Sequence, residues 1–384
     1  MSELASAIPD EFVEERRTTP IELLWDLVFV FAVTQVTSLL SGRTTWTTFG
    51  EGMLVLALIW WAWSAFVWAA NAQPPTSWSL RFCLLAATVV IFITGLAVPR
   101  ALLDESTLFA ITYAVVRFLH LALYADASRR GNASWASISG FAVTVAIGMA
   151  LLIAGSFLRG PARAALWTLA VVIDYAGPAW LTRERLRGLQ TIAVAHFAER
   201  YSLFVIICLG ESIVAIGVAA RGHAVSAELV AISLGLLITV GMWWTYFDRF
   251  AATAEERLRE HDDPVLAASD AYSYIHLVVV AGIIIFAVGL KFLVRAHVDD
   301  PLTDAARLTL CGGVALYLAG NVGFRLRLTG SVDYVKLAVA VALCGLYAAG
   351  RSLPAWVTAA TISVLVTVLC VVESTVEREP SELE

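Results

Sequence analysis

Residues 19–31, TPIELLWDLVFVF, begin an apolar stretch that is long enough to cross a lipid bilayer. Residues 196–211, HFAERYSLFVIICLGE, begin a similar stretch in the other half of the chain. Both stretches carry acids, Glu22 and Asp26 in the first and Glu211 in the second. An aspartate inside a membrane helix costs about 2.5–3.5 kcal/mol on insertion scales. The fold or the function must therefore compensate for these acids.

The composition is that of a membrane protein. Of the 384 residues, 59% are hydrophobic and 15% are charged, and the mean hydropathy is +0.77. A soluble domain carries about 25% charged residues. The net charge of -6 argues against nucleic acid as a partner. The five cysteines show no pairing or metal-ligand spacing, so we expect no disulfide, no metal and no cofactor.

Windows of about 20 apolar residues predict an all-α polytopic membrane protein with about twelve transmembrane helices. The windows lie near 20–40, 50–70, 80–98, 107–125, 137–158, 164–182, 201–220, 226–247, 272–293, 305–326, 335–350 and 354–373. With twelve spans, the tails and the even-numbered loops hold about twice as many Lys and Arg residues as the odd-numbered loops. The positive-inside rule then places both termini in the cytoplasm of a multi-pass protein of the cell membrane.

The two halves are similar to each other, which predicts two six-helix repeats. Residues 60–63 (WWAW) match residues 243–246 (WWTY), and residues 91–96 match residues 285–290. Six spans per repeat give both halves the same orientation in the membrane. The predicted parts are an N-terminal tail 1–19, a first repeat 20–182, a cytoplasmic linker 183–200, a second repeat 201–373 and an acidic tail 374–384.

Four charged side chains inside the predicted spans are the candidate transport or ion-binding residues: Asp26, Arg117, Asp174 and Glu211. The last three lie about ten residues into their spans, which predicts a position near the midplane. Charged residues at that depth typically mark ion or proton pathways. The structural alternative is one salt bridge and one neutral acid. The sequence leaves both interpretations open.

A second group is predicted to form a cytoplasmic entrance: Glu22, His196, Glu199 and Arg200. Thr19 and Glu22 also have the spacing of a helix capping box, which offers Glu22 a structural explanation. Lys291, near the outer end of the ninth span, reads as a lysine whose ammonium group reaches the membrane surface. The tryptophans of the second span are expected to pack against other helices: Trp60, Trp61, Trp63 and Trp68.

Residues 17–35, RTTPIELLWDLVFVFAVTQ, resemble the opening signature of the bacterial low temperature requirement protein A (LtrA) family. Residues 196–212 resemble its second signature, with Tyr201 and Ser202 as mild departures. The resemblance covers nearly the whole chain. It implies a polytopic bacterial membrane protein whose family name refers to growth in the cold, and it brings no reaction or substrate.

Three functions remain open from the sequence. The first is a secondary transporter in which intramembrane carboxylates carry a proton or cation, and the expected partners are membrane lipid and an unidentified small solute or ion. The second is a cation channel whose pore is lined by the first and seventh helices. The third is a membrane-embedded enzyme that acts on lipid through His196 and Glu199. The first hypothesis predicts no enzymatic activity, and a homodimer stays an open alternative.

Overall fold

The computed structural model of the chain describes residues 17–131, 133–181, 192–220, 226–248 and 250–376. Within these ranges the fold is all-helical, with one isolated β-bridge between Pro301 and Pro354. Eleven of the described helices are long and apolar enough to cross a membrane, as expected of a polytopic membrane protein. The main helices are α1 (Pro20–Gly42), α2 (Trp46–Asn71), α3 (Trp78–Ala97), α4 (Ser106–Arg129), α5 (Trp135–Ser156), α6 (Pro161–Ala176), α7 (Val194–Ala219), α8 (Ser226–Phe247), α9 (Pro264–Arg295), α10 (Asp304–Thr329), α11 (Tyr334–Ala349) and α12 (Ala355–Val376).

Helix α6 corresponds to the sixth predicted span and is not among the eleven. Its regular part has 16 residues, and a π-helical segment, Gly177–Leu181, follows it. From Pro161 to Leu181 these segments cover about 30 Å at the rise of an α-helix, which is the thickness of the hydrocarbon core. The end of this predicted span and residues 183–191 of the predicted linker lie outside the described residues.

Local sequence explains where several helices begin. The backbone nitrogen and the hydroxyl of Thr19 donate to Glu22 Oε2 at 2.9 and 2.8 Å, and Pro20 occupies the first helical position of α1. The predicted capping box is therefore confirmed. Helix α9 starts in the same manner, because Asp263 accepts a hydrogen bond from the backbone of Leu266 and Pro264 follows the cap.

Two helical regions extend beyond the predicted membrane spans. Helix α7 begins at Val194 and includes the acidic stretch that opens at His196, whereas the membrane span was predicted from residue 201. The reason is that His196 and Arg200 are buried and paired, so the helix extends over them. The loop predicted around residues 248–271 contains a short helix, Phe250–Arg259, and the first turns of α9.

Helices α1 and α7 lie side by side and run in the same direction. Glu22 contacts His196, Asp26 contacts Arg200, and Thr37 contacts Glu211, so the contacts advance along both helices together. Parallel first and seventh helices are compatible with two halves of equal orientation.

The matched tryptophan pairs of the two halves have different surroundings. Trp60 and Trp61 of α2 are 1% and 6% exposed, whereas Trp243 and Trp244 of α8 are 43% and 40% exposed. A repeat would place corresponding residues in corresponding positions, so this difference gives the six-plus-six arrangement no support. The repeat stays a prediction.

Candidate functional site

The first group of charged residues joins α1 to α7, and we call it the α1–α7 charge cluster: Glu22, Asp26, His196 and Arg200. Arg200 donates from Nη2 and Nε to the two carboxylate oxygens of Asp26, at 2.6 and 3.0 Å. Its Nη1 lies 3.3 Å from Glu22 Oε1, and His196 Nε2 lies 3.2 Å from the same oxygen. Two carboxylates therefore share one guanidinium and one imidazole.

The α1–α7 charge cluster is closed off from its surroundings. Its four side chains are 0–1% exposed. Trp63 of α2 adds a hydrogen bond from Nε1 to Asp26 Oδ1 at 2.8 Å. Buried charges of this kind persist only when they are paired and hydrogen-bonded. The pairing with Arg200 explains how α1 accommodates Asp26.

The residues of the predicted cytoplasmic entrance differ in exposure, and their role as an entrance stays a prediction. Glu22, His196 and Arg200 are buried inside the cluster, and Glu199 is the exposed member of the predicted set. Glu199 Oε2 accepts hydrogen bonds from the backbone nitrogen and hydroxyl of Thr18, at 3.0 and 2.7 Å. These hydrogen bonds connect the segment before α1 to the start of α7. The charged groups of the three buried residues face one another because buried charges need partners.

Glu211 belongs to a second group, which we call the Glu211 cluster: Thr34, Thr37, Glu211 and Lys291. The hydroxyls of Thr34 and Thr37 lie 2.5 and 2.6 Å from the two carboxylate oxygens of Glu211. Lys291 of α9 lies 3.5 Å from Glu211 Oε1 and donates to Thr37 Oγ1 at 2.7 Å. Three helices, α1, α7 and α9, therefore meet at one carboxylate.

One prediction about this cluster was wrong. Lys291 is 6% exposed and points to Glu211, so it does not reach the membrane surface. A buried acid is a better partner for its ammonium group than the distant interface. Glu211 lies in the second half of α7 and contacts Thr37, which is close to the end of α1 at Gly42. Its position near the midplane stays a prediction.

The third group is the pair formed by Arg117 of α4 and Asp174 of α6. Arg117 Nη2 donates to Asp174 Oδ1 at 2.8 Å, and the side chains are 2% and 4% exposed. Arg117 Nε and Nη1, and Asp174 Oδ2, make no hydrogen bond within the described part of the chain. Buried polar atoms nearly always have partners. This pair therefore has unused capacity for a ligand or water.

A cavity of about 60 Å³ lies beside the Arg117–Asp174 pair. A buried water needs at least about 10–15 Å³ of such space and occupies about 30 Å³ in the liquid, so the cavity has room for roughly two water-sized groups. Its lining residues are Trp61, Ser64, Ala65, Trp68, Arg117, His120, Tyr124, Phe141, Val145, Asp174, Pro178, Ser269 and Ser273. We call it the Arg117 cavity.

Two irregular segments border the Arg117 cavity. Pro178 lies in the π-helical segment after α6, and Ser269 and Ser273 lie in a second π-helical segment, Ser269–Ile275, within α9. Single π-helical turns inside α-helices are rare and occur frequently at functional sites. The cavity therefore combines a buried ion pair with the kind of backbone that is typical of binding sites.

Tryptophans and serines connect α2 to the second half of the chain beside this cavity. Ser64 Oγ is 2.7 Å from the hydroxyl of Tyr201, and Trp68 Nε1 donates to Ser273 Oγ at 2.8 Å. Trp60 Nε1 donates to the carbonyl of Ser273 at 2.7 Å. The expectation that the α2 tryptophans pack inside is confirmed, since Trp60, Trp61 and Trp63 are buried and Trp68 is part-buried.

The four predicted transport residues do not meet at one point. Asp26 lies in the α1–α7 charge cluster, Glu211 in the Glu211 cluster, and Arg117 with Asp174 at the cavity. Along α1, Asp26 and the Glu211 partner Thr37 are about 16 Å apart at the helical rise. Sequence reasoning missed Thr34, Thr37, Ser64 and Ser273, because isolated hydroxyls in apolar helices carry no spacing signal.

No metal site is suggested by the described ranges. Within them, no three His, Cys, Asp or Glu side chains are grouped as metal ligands, and the five cysteines are free thiols. The absence of a cofactor stays a prediction.

Comparison with known proteins agrees with the two quoted signatures. Residues 17–371 match the family described as Bacterial low temperature requirement A protein (LtrA). The uncharacterized protein RA0937 of Rhizobium meliloti (strain 1021) is 30% identical over 319 residues, which are 81% of this chain and 78% of that protein. No solved structure matches the chain. With nearly its whole length matched, the chain belongs to the bacterial low temperature requirement A (LtrA) family of membrane proteins.

Proposed function

We propose that this protein is a secondary transporter whose solute site is the Arg117 cavity. The observation that supports it most directly is the buried guanidinium of Arg117, which uses Nη2 for Asp174 while Nε and Nη1 have no hydrogen bond in the described part of the chain. Arg117 and Asp174 also line a cavity bordered by the first half of the chain and by α9. Sites formed by interrupted helices are typical of transporters.

The Glu211 cluster is the proposed coupling site for a proton or cation. Glu211 and Lys291 form a buried pair of net charge zero, so binding a proton at Glu211 changes the charge between three helices. Protonation of Glu211 would weaken its attraction for Lys291 and so the contact between α7 and α9. The π-helical segment of α9 borders the cavity. Asp26 and Asp174 remain the other predicted carboxylates, each already paired with an arginine.

The two alternatives face specific obstacles. A pore lined by α1 and α7 would need these helices to separate, since the α1–α7 charge cluster holds them together through buried pairs. A lipid-active enzyme based on His196 would need this side chain to leave Glu22, because His196 is 1% exposed. The transporter hypothesis needs neither rearrangement in order to bind its solute.

The test uses purified protein in liposomes that contain a pH-sensitive dye. Alanine, propionate and ethylammonium, which represent zwitterions, anions and cations, are added outside, and internal acidification and current are recorded. We expect solute-dependent proton movement, beyond the passive entry of propionic acid and ethylamine measured in protein-free liposomes, for at least one class. Arg117→Lys should lose it, because an ammonium group lacks the planar fork of a guanidinium. Glu211→Gln should keep solute exchange and lose proton coupling.

A different pattern would support the channel. If current flows under voltage without any added solute and is unchanged in Glu211→Gln, a channel explains the data and the transporter proposal is wrong. If no class of solute shows flux under any gradient, both the transporter and the channel hypotheses are wrong. Changed lipids in a deletion strain, restored by the wild type and not by His196→Ala, would favour the enzyme.

A further inference from the structure

We propose that the Arg117 cavity binds a small zwitterion, with its carboxylate on Arg117 and its cationic nitrogen between Asp174 and the aromatic wall. The proposal rests on the proposed function in using the same cavity, but binding can be measured without transport. The argument depends on hydrogen-bonding capacity, wall chemistry, charge balance and size.

Arg117 has a free carboxylate-binding edge. A guanidinium presents five N–H groups as two forks that share Nη2. Asp174 takes one N–H of Nη2, so one complete fork of two parallel N–H groups is left, either Nε with Nη2 or Nη1 with Nη2. A planar fork of this kind matches a carboxylate with two hydrogen bonds. The buried side chain therefore has unused hydrogen-bonding capacity that suits a carboxylate, and the same residue lines the cavity.

The opposite end of the site suits a cation. Asp174 Oδ2 makes no hydrogen bond of good geometry within the described residues, although the Trp61 side chain interacts with the same carboxylate, and this oxygen can accept a hydrogen bond from an ammonium group. Aromatic faces surround the same space, from Trp61, Trp68, Tyr124 and Phe141. Cations bind such faces, most strongly that of tryptophan, and the attraction is larger in a desolvated site. The Trp61 ring is held in place by stacking on Tyr175, with 3.9 Å between ring centroids.

Charge balance favours a zwitterion over its separate halves. Arg117 and Asp174 together have no net charge, and the remaining wall is mainly aromatic or aliphatic. A bound monoanion or monocation would add one uncompensated charge to a buried site, and that is strongly unfavourable. A zwitterion adds none and extends the ion pair into a four-charge arrangement. The cavity volume of about 60 Å³ restricts the solute to the smallest zwitterions, such as glycine and alanine.

The experiment measures binding to the full-length protein in detergent or nanodiscs by calorimetry and by tryptophan fluorescence. The probes are alanine and its two halves, propionate and ethylammonium. We expect alanine to bind at least about tenfold more tightly than either half. Arg117→Lys should weaken alanine binding by about tenfold or more, since it keeps the charge and loses the fork.

The matched control is Arg163→Lys. Arg163 is also a buried arginine of the first half, but it donates to the backbone carbonyls of Leu103, Ser156 and Leu158 and does not line the cavity. Alanine should bind this variant as tightly as the wild type. Thermal unfolding checks that each variant is folded, and a second cavity variant covers the case in which Arg117→Lys is not.

Asp174→Asn is that second variant, and it should change which probe the cavity prefers. It leaves Arg117 without its counter-charge, so the cavity gains a net positive charge. Propionate should then bind more tightly than alanine, the reverse of the wild-type order. The inference is overturned if wild-type protein binds propionate as tightly as alanine, or if no probe binds at all.

Different experimental outcomes would contradict the transporter proposal and the zwitterion-site proposal. Alanine binding without any flux in liposomes would contradict the transporter and leave the zwitterion site intact. Flux of propionate or ethylammonium, together with absent alanine binding, would contradict the zwitterion site and leave a transporter of different specificity.

Discussion

At the scale of single residues, Arg200 is the most sensitive position for stability. It is shared by Glu22 and Asp26, and all three side chains are buried. Arg200→Gln removes the guanidinium that two buried carboxylates share, and breaking a buried pair in this way costs about 3–5 kcal/mol. Asp26→Asn should cost less, because Arg200 keeps Glu22. Thermal unfolding in detergent measures the difference.

Two further variants make this prediction specific. In the double variant Arg200→Gln with Asp26→Asn, part of the lost stability should return, since one unpaired carboxylate has been removed. Arg257→Gln is the exposed control, because Arg257 and Glu260 form a pair with side chains 53% and 57% exposed. If Arg200→Gln is no more harmful than Arg257→Gln, the cluster does not stabilise the contact of α1 with α7.

Asp333 gives a residue-scale prediction about pH, and it lies outside the spans. It caps α11 by accepting from the backbone of Lys336 at 3.0 Å, with Arg325 at 3.2 Å. Burial raises the pKa of Asp333, but the hydrogen bond from Lys336 and the charges of Lys336 and Arg325 outweigh burial and lower the pKa below its ordinary value. Folding therefore favours the ionised form.

The stability that Asp333 contributes should be lost only in acid. It is fully present above the pKa of an unfolded aspartate, about 3.9, and decreases as the pH falls through the lower pKa of the folded state. Asp333→Asn should thus lower the unfolding temperature at neutral pH, and this deficit should shrink as the pH drops below about 4. A deficit that is the same at pH 7 and pH 3 would mean that the charge does not matter there.

At the scale of elements, the backbones of α9 and α10 approach each other closely because glycines lie where the two helices meet. A Cβ atom on Gly313 of α10 would lie 2.4 Å from the backbone nitrogen of Phe286, and one on Gly282 of α9 would lie 2.4 Å from that of Tyr317. Gly289 and Gly320 repeat the contact two turns away on the two helices. Small residues allow membrane helices to approach in this way.

Neighbouring glycines of α10 test that packing. Gly313→Ala should destabilise by about 1–3 kcal/mol, because the added methyl group meets the backbone of α9 and cannot move away. Gly312→Ala is the control, since its Cβ would meet only Leu308 Cδ1, at 3.7 Å, and alanine favours the helix by about 1 kcal/mol. Unfolding temperatures that fall equally in both variants would show that close packing is not the cause.

The helices were easier to predict from the sequence than the contacts between them. Apolar windows located the spans, and the capping box at Thr19 and Glu22 fixed the start of α1, because these signals are local in sequence. The pairing of Lys291 with Glu211, and of Arg117 with Asp174 beside a cavity, depends on which helices touch, and apolar periodicity does not encode that. The partners of His196 and Arg200 were missed for the same reason, since they are on α1.

At the scale of the whole molecule, the buried charges between α1 and α7 form two separate sites along the contact of these helices. The α1–α7 charge cluster lies near the beginning of both helices, and the Glu211 cluster lies towards their ends. Proton binding at one end could affect the other through the rigid pair of helices, while α2 connects Asp26 to the cavity through Trp63 and its neighbour Ser64. A transporter needs such coupling between an ion site and a solute site.

The parallel contact of α1 and α7 makes a prediction about topology. Two adjacent helices that cross in the same direction must have an odd number of crossings between them, and the described residues between them form five main helices, α2 to α6. We therefore expect α6 to cross, although its regular part has only 16 residues. With twelve crossings both termini would lie on one side, which the positive-inside rule predicts to be the cytoplasm.

Reporter fusions decide this count. A fluorescent protein that folds only in the cytoplasm, and a phosphatase that is active only outside it, are placed after Gly131, after Gly160 and at the C-terminus. We expect fluorescence after Gly131 and at the C-terminus, and phosphatase activity after Gly160, which lies between α5 and α6. Phosphatase activity at the C-terminus would mean an odd number of crossings. If α6 is then the helix that does not cross, α7 would run opposite to α1, and the pairs Glu22–His196 and Asp26–Arg200 could not form together, because both require the two helices to advance in the same direction.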